Sequence, residues 1–491
     1  MAYALGIDLG TSSIKVVLLN DDGKITTTAS ADYPLLKPKP GWVEQNPEDW
    51  WRALCEAVQS VLREAKIQPT AIRSVALSGQ INGAVFVDKQ GHLLRPAMIW
   101  LDHRSQAECD VANQQAGDLL HSRALQHLNP VNGLAKVLWV QHHEPELYAQ
   151  THAVLLPKDW LIYQLTGVQI AEISDASTSA AFDLYDRRWS TEILEQLGVN
   201  TDHFQRTVES TEIVGQVTTK AATATGLASG TPVCGGGGDM PCMVVGSGVI
   251  APGIVSVGIG TAGHAVTFAE SMTDAAVNVL WPMCHPIPGK YAWLGCTLTG
   301  GASLTWFRDN FGGTYDELTG EAGEVDPGAE GLFFMPWLEG TATPNPDAHA
   351  RGGFLGLSLR HTRGHIVRAL LEGVVFDLRH SLESFKEIGL PIDEIRMGEG
   401  GSRAPLWRHI HADIFGHDLR LIETEDLSAV GAALIASVGG QLFPDFTTAC
   451  EATIKLGETV PSNPERAKFY EDAYQQYCEL YPTLKDWYTN R

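Results

Sequence analysis

Residues 5–18 read LGIDLGTSSIKVVL and residues 255–268 read VSVGIGTAGHAVTF. Each is an apolar run, a turn built on Gly-Thr, and a second apolar run. The turns, Gly10-Thr11 and Gly260-Thr261, lie about half a chain length apart. Two Gly-rich hairpins can match by chance. Otherwise the echo implies two halves of like topology, each opening on the same hairpin. The boundary then falls near the glycine-rich stretch 235–248 and divides the chain into 1–245 and 246–491. A length of 491 residues suits two large domains.

Strand patterns occupy residues 3–9, 14–19 and 24–33, with Asp22-Gly23 as the turn between the last two. Asn46 as a cap, Pro47 at the first helical position, and Glu48 and Asp49 in the first turn predict a helix start. Trp50, Trp51, Leu54 and Val58 are its expected buried stripe. Strands at 75–77 and 84–87 flank the loop Ser78-Gly79-Gln80. Helical and strand patterns alternate through the rest, so the fold class is α/β. By spacing, Trp50, Trp51, Trp100, Trp139 and Trp160 are mostly core residues.

Composition narrows the function. Acidic residues outnumber basic ones 58 to 35, a net charge of -23, which opposes nucleic acid and anionic membrane surfaces. ATP is not excluded, because a few backbone N–H groups and a Mg²⁺ ion outweigh a distant net charge. The first residues lack the basic and apolar regions of a secretory signal. No apolar run reaches the roughly 18–20 residues of a membrane helix. The eight cysteines contain no CxxC pair, and a reducing cytoplasm is expected.

Three loops can carry chemistry. In DLGTSS, Gly10 lets a ligand approach, Thr11, Ser12 and Ser13 supply hydroxyls, and consecutive N–H groups can bind an anion. Asp8 can hold Mg²⁺ through water. Two such turns facing each other can grip a polyphosphate from both sides, as in actin-like ATPases. In Gly235-Gly236-Gly237-Gly238-Asp239, four bare residues admit a large group and present one carboxylate, which can deprotonate an attacking hydroxyl. The alternative is a flexible hinge ending in a solvated Asp. Late in the chain, a strand at 392–397, the loop 398–402 and a helix at 404–415 suit a nucleotide or form a plain tight turn. His361 and His365 lack the intervening Glu of a zinc site, and Gly364 weakens a helix there.

The chain resembles the FGGY carbohydrate kinases, and most of all the xylulokinases. The matching segments run nearly end to end: GIDLGTSSIKVVLL at 6–19, GWVEQNPEDWW at 41–51, SGQINGAVFVD at 78–88, RPAMIWLDHR at 95–104, LLPKDWL at 155–161, SDAS at 174–177, GGGGD at 235–239, GIGTAG at 258–263, GGFLGLSLRHTRGHIVRALLEG at 352–373 and GGSRAPLWRHIHADIFG at 400–416. The resemblance implies two actin-like (ribonuclease H-like) domains, with ATP and a sugar in the cleft between them. It implies Asp239 as catalytic base and Asp8 as the acid beside Mg²⁺ and phosphates, the metal being held by Asp8 and Asp239 through water. Gly10, Thr11, Ser12, Lys15, Gly260, Thr261 and Gly300 fall on the phosphate side, and Gly400 and Gly401 at adenosine. Gln80, Ile81, Asn82, Asp102, Asp239 and Met240 fall on the sugar side. A homodimer follows only by analogy.

Some positions depart from the family's pattern. Ile81-Asn82 stands where xylulokinases place Met-His, and Met240 where they place Asn. The segments 340–344 and 131–136 also differ. These changes bear on the sugar, with D-xylulose expected ahead of ribulose, L-xylulose, erythritol or glycerol. The contrasting possibility is a non-catalytic actin-like protein that binds nucleotide alone.

Overall fold

The computed structural model describes residues 1–489. The first hairpin forms where the sequence places it, with strands Tyr3–Leu9 and Ser13–Asn20 antiparallel and Leu9 opposite Ile14. Ile25–Asp32 adds an antiparallel third strand. A helix, Pro47–Ala65, then carries the chain to Ile72–Gly79, which lies parallel to the first strand. Pro232–Cys234 pairs parallel beyond it.

The second half repeats this order. Gly253–Ile259 and Gly263–Ala269 form the hairpin, and Tyr291–Thr297 the antiparallel third strand. After the helix Arg363–Glu387, Ile392–Gly398 runs parallel to the first strand of the half, and Leu419–Ile422 lies beyond it. Each half thus holds a seven-stranded sheet with the same five-strand centre. The echo is therefore a duplicated actin-like architecture and not a chance match. The expected boundary at 245/246 falls in the last turn of the helix Asp239–Gly246.

Local signals explain the elements. The Asn46 side chain accepts the Glu48 N–H at 3.1 Å and starts the first long helix. Trp50, Leu54 and Val58 are buried as expected, but Trp51 is only half-buried. Trp100 is corrected from core to surface: it is 37 % exposed. Gly364 does not prevent a helix. It sits in the first turn of Arg363–Glu387, where a Cβ would lie 2.7 Å from the Glu321 carbonyl oxygen.

Two helices join the halves. Leu427–Gly439 packs Ala429, Val430, Ala433 and Leu434 onto Ala4, Val17, Leu19 and Ala76 of the first sheet. It crosses Asp239–Gly246 backbone to backbone. A Cβ on Gly431 would stand 1.8 Å from the Cys242 carbonyl oxygen, and one on Gly246 2.0 Å from that of Leu427. In an unconstrained helix Gly→Ala adds stability, about 1 kcal/mol. Here Gly431→Ala is expected to destabilise by about 1–3 kcal/mol, because the helices must spread. Urea denaturation measures this, and a gain in stability would show that the helices do not touch at this point.

Candidate active site

The two turns are built differently. At the first, the Gly10 N–H bonds to the Ser13 carbonyl at 3.0 Å, and the Tyr33 hydroxyl donates to the Gly10 carbonyl. Gln45 Nε2 donates to the Thr11 carbonyl at 2.7 Å. Exposed Trp100 donates its indole N–H to Thr11 Oγ1 at 3.1 Å. Asp8, at the end of the first strand, accepts from Ser78 Oγ at 2.7 Å. Burial raises its pKa above the ordinary carboxylate value, while Ser78 and Lys15 oppose that shift. Lys15 Nζ reaches across to Asp426 Oδ1 at 2.5 Å, tying the first hairpin to the start of the helix Leu427–Gly439.

At the second turn the strand register places Gly258 where the first half has Asp8, so only one turn carries an acid. Instead, the helix Gly301–Phe311 begins on it. The N–H groups of Gly301 and Ala302 bond to the carbonyls of Gly260 and Thr261 at 2.9 and 3.0 Å. Gly300 must be bare, since a Cβ would stand 2.7 Å from the Ala262 carbonyl carbon. Gly401 closes on Ile259 from the other side, where a Cβ would lie 2.5 Å from the Ile259 Cβ. Gly260, Thr261, Gly300, Gly400 and Gly401 are thus brought together. Between the first hairpin and the loops 399–403 and 422–428 lies a cavity of about 580 Å³ lined by Asp8, Lys15, Glu399, Gly400, Arg403 and Asp426 among others.

Asp239 opens the helix Asp239–Gly246, whose Met243 lines that cavity. Burial pushes its carboxyl up to about 7, and the charge of Asp8 pushes it the same way. The N–H groups of Met240, at 2.8 Å, and Ile81 favour the ionised form but do not outweigh burial. Ser428 Oγ, from the opposite half, donates to the Asp239 carbonyl at 3.0 Å.

The run before Asp239 corrects an expectation. Protein, not a ligand, crowds all four glycines. A Cβ would meet the Glu209 carbonyl oxygen at 2.6 Å on Gly235, that of Leu77 at 2.0 Å on Gly236, Cys242 Sγ at 2.9 Å on Gly237 and Ile81 Cγ2 at 2.4 Å on Gly238. Gly236 also has φ +77°, a conformation that costs a side chain. The run is a buried strap that fixes Asp239, and the hinge alternative is set aside on the same ground.

Ile81 lies against Gly238 and directs its N–H at Asp239. Asn82, at φ +65° and buried, accepts from the Gly133 N–H and from Thr178 Oγ1, both at 3.3 Å, and its Nδ2 has no partner. Gly133 follows a turn held by buried Lys136, which donates to the carbonyls of Pro130 and Val131 at 2.7 and 2.9 Å. Burial pushes that amine down to about 7. Met240 is half-buried beside Asp239. Two residues of the sugar-side group stand further back. Gln80 is buried and reaches the first turn through Gln45, with Nε2 to Oε1 at 2.7 Å. Asp102 is buried and engaged by Arg104 and, at 2.7 Å, by the Val43 N–H.

Sequence reasoning missed the layer behind Asp239. Lys158 is fully buried with Asp159 Oδ1 at 2.5 Å, Glu172 Oε2 at 3.6 Å and Asp175 Oδ2 at 3.8 Å. Ser174 Oγ accepts the Gly238 N–H at 3.2 Å and donates to Glu172 at 2.8 Å. The only sequence signal was a Lys-Asp pair inside the apolar run LLPKDWLIYQL.

Residues 3–246 match the N-terminal domain of the FGGY family of carbohydrate kinases, and residues 256–440 match its C-terminal domain. The chain belongs to the FGGY carbohydrate kinases. Among its relatives, the xylulose kinase of Bacillus subtilis is 34 % identical over 99 % of this chain and 98 % of its own length. That of Escherichia coli is 31 % identical over 97 % and 96 %. The crystal structure of xylulose kinase from Rhodospirillum rubrum superposes with a TM-score of 0.93 at 28 % identity, covering 99 % of this chain and all of that one. This FGGY chain is an enzyme that transfers phosphate from ATP to a carbohydrate. No helix among the described residues is long and apolar enough to cross a membrane.

Proposed function

We propose that this kinase phosphorylates D-xylulose to D-xylulose 5-phosphate, with Asp239 as general base. The observation that carries the proposal is the placement of the Ile81 N–H on Asp239 with Asn82 next in the chain, in a chain 34 % identical to a xylulose kinase over 99 % of its length. The sugar binds beside Ile81, Asn82 and Met240, with Gln80 and Asp102 supporting from behind. ATP lies along Gly10, Thr11, Ser12, Lys15, Gly260, Thr261 and Gly300, with adenosine at Gly400 and Gly401.

The hydroxyl oxygen of the sugar attacks the terminal phosphorus of ATP as its proton passes to a carboxylate oxygen of Asp239. The bond between that phosphorus and the β–γ bridging oxygen breaks, and ADP leaves. N–H groups of both turns take up charge on the phosphoryl oxygens. Asp8 and Asp239 are a fit for Mg²⁺, which uses one or two carboxylates with water and phosphate oxygens. When bound, the ion neutralises charge on the polyphosphate. Closure of the unit 246–491 on 1–245 keeps water from the phosphoryl group. The eight thiols, all free, support a cytoplasmic location.

The departures at Asn82 and Met240 favour a second reading, another ketopentose or a linear polyol. An ADP-release assay over D-xylulose, L-xylulose, both ribuloses, glycerol, erythritol and the pentitols separates the two. D-xylulose is expected to give the highest kcat/KM, and Met240→Asn to raise it by about fivefold, the worth of one hydrogen bond. A different preferred sugar would reassign the substrate, and silence across the panel would favour nucleotide binding without transfer.

A further inference from the structure

Glu399 stands at the end of the strand Ile392–Gly398, at φ +63° and ψ -166°. This backbone region is open at low cost only to glycine, and a side chain persists there when its surroundings hold it. The position lies in a loop that otherwise reads Gly398, Gly400, Gly401. Its side chain is exposed and turns toward the second hairpin. Oε2 lies 2.8 Å from the point a Cβ on Gly258 would occupy and 3.4 Å from the corresponding point on Gly260. The side chain therefore lies over the second Gly-Thr turn, inside the cavity it shares with Asp8 and Lys15. Its carbonyl takes the Ser402 N–H and Oγ, at 3.2 and 2.6 Å, while the carboxylate takes no hydrogen bond or ion pair among the described residues, although the His264 ring stands beside the same Gly258 point, with Nε2 2.7 Å from it. The other charges on this cavity are Asp8, Glu423, Glu425 and Asp426 against Lys15 and Arg403, so acids outnumber bases around Glu399 and His264 is the titratable group nearest the turn.

An unpartnered anion resting on a turn whose N–H groups suit phosphate competes with phosphate. We infer that Glu399 is an affinity-setting residue for the nucleotide: the incoming polyphosphate must displace its carboxylate from the second turn, so ATP and ADP are held more loosely than an all-glycine loop would hold them. This rests on the reading that the nucleotide spans this cavity and the second turn. The residue acts on binding and not on the reacting atoms, so direct binding is its proper readout.

The test is calorimetric titration of ADP and of adenosine, without divalent metal, into the full chain and three variants. Glu399→Gln keeps the size of the side chain and removes its charge. It is expected to bind ADP about fivefold more tightly, the effect of relieving one like-charge contact in a hydrated cleft, and adenosine unchanged. Glu399→Gly is expected to bind ADP at least as tightly as Glu399→Gln, because the obstruction goes with the charge. Lys15→Met is the control for the site and is expected to weaken ADP. If Lys15→Met weakens ADP while both Glu399 variants leave it unchanged or weaker, the inference is overturned and the nucleotide site stands. If ADP affinity is indifferent to all three, the nucleotide lies elsewhere and the reading beneath the inference fails with it.

Discussion

Asp239→Asn is expected to lower kcat by about 10³–10⁴-fold, the upper range for loss of a positioned general base, while Mg·ATP binds within a few-fold of wild type. Asn fills the same space and keeps the Met240 N–H within reach, but it cannot take the proton of the attacking hydroxyl. Because a general base acts ionised and burial pushes the Asp239 carboxyl up to about 7, kcat/KM should rise with pH below about 7 and level off above it. The same shift works against stability. A carboxyl whose folded pKa lies above its unfolded value binds its proton more tightly when folded. Its contribution is complete at pH values below the unfolded pKa of 3.8 and is lost as pH rises through 7. Asp239→Asn, which never ionises, should therefore raise Tm at pH 8 and leave it nearly unchanged near pH 4. Kinetics, calorimetry and thermal melts at the two pH values check these together. Equal loss of transfer and ATP binding, with a Tm that falls at both pH values, would make Asp239 a structural residue.

What the sequence showed and what it hid divide along physical lines. Gly10-Thr11 and Gly260-Thr261 were legible because a hairpin writes itself in consecutive residues, and repetition makes it readable twice. Asn46 and Pro47 were legible for the same reason, since a helix cap is local. Asp239 at the end of its glycine run stood out in the sequence too, but the reason for those glycines was not legible. The neighbours that forbid a Cβ at 235–238 come from Glu209, Leu77, Cys242 and Ile81, and only the fold brings them there. Trp100 looked like core because spacing says nothing about a residue at a cleft rim, where its N–H serves Thr11. Lys15 and Asp426 are 411 residues apart in sequence, so no periodicity links them. The strain at Glu399 is invisible as well, since a Glu among glycines gives no sign of its φ.

Lys158→Met should be the most damaging single change away from the cleft. Lys158, Asp159, Glu172 and Asp175 are all fully buried, one cation among three carboxylates. Burial works to lower the Lys158 pKa, but the carboxylates win and hold it above its ordinary value. Burial pushes Asp159 up to about 6 and Asp175 well above the usual carboxylate range. Glu172 has other support, from Ser210 Oγ at 2.6 Å and the Ser174 N–H at 2.9 Å. The oxygens of Asp175 have no hydrogen bond, so Lys158 is their main compensation. Removing a buried cation strands its partners at a cost of about 3–5 kcal/mol. Protonated carboxyls need no cation, so the deficit of Lys158→Met should be largest near pH 8 and shrink as pH falls through about 6. Denaturant melts across that window measure it, and the double variant Lys158→Met/Asp159→Asn should recover part of the loss. Transfer should suffer as well, because Ser174 links this cluster to the Gly238 N–H, one residue before Asp239. A variant that lost stability at every pH alike would reduce Lys158 to a packing residue. A variant that lost stability as predicted yet kept full kcat would show that the strap holds Asp239 without the cluster behind it.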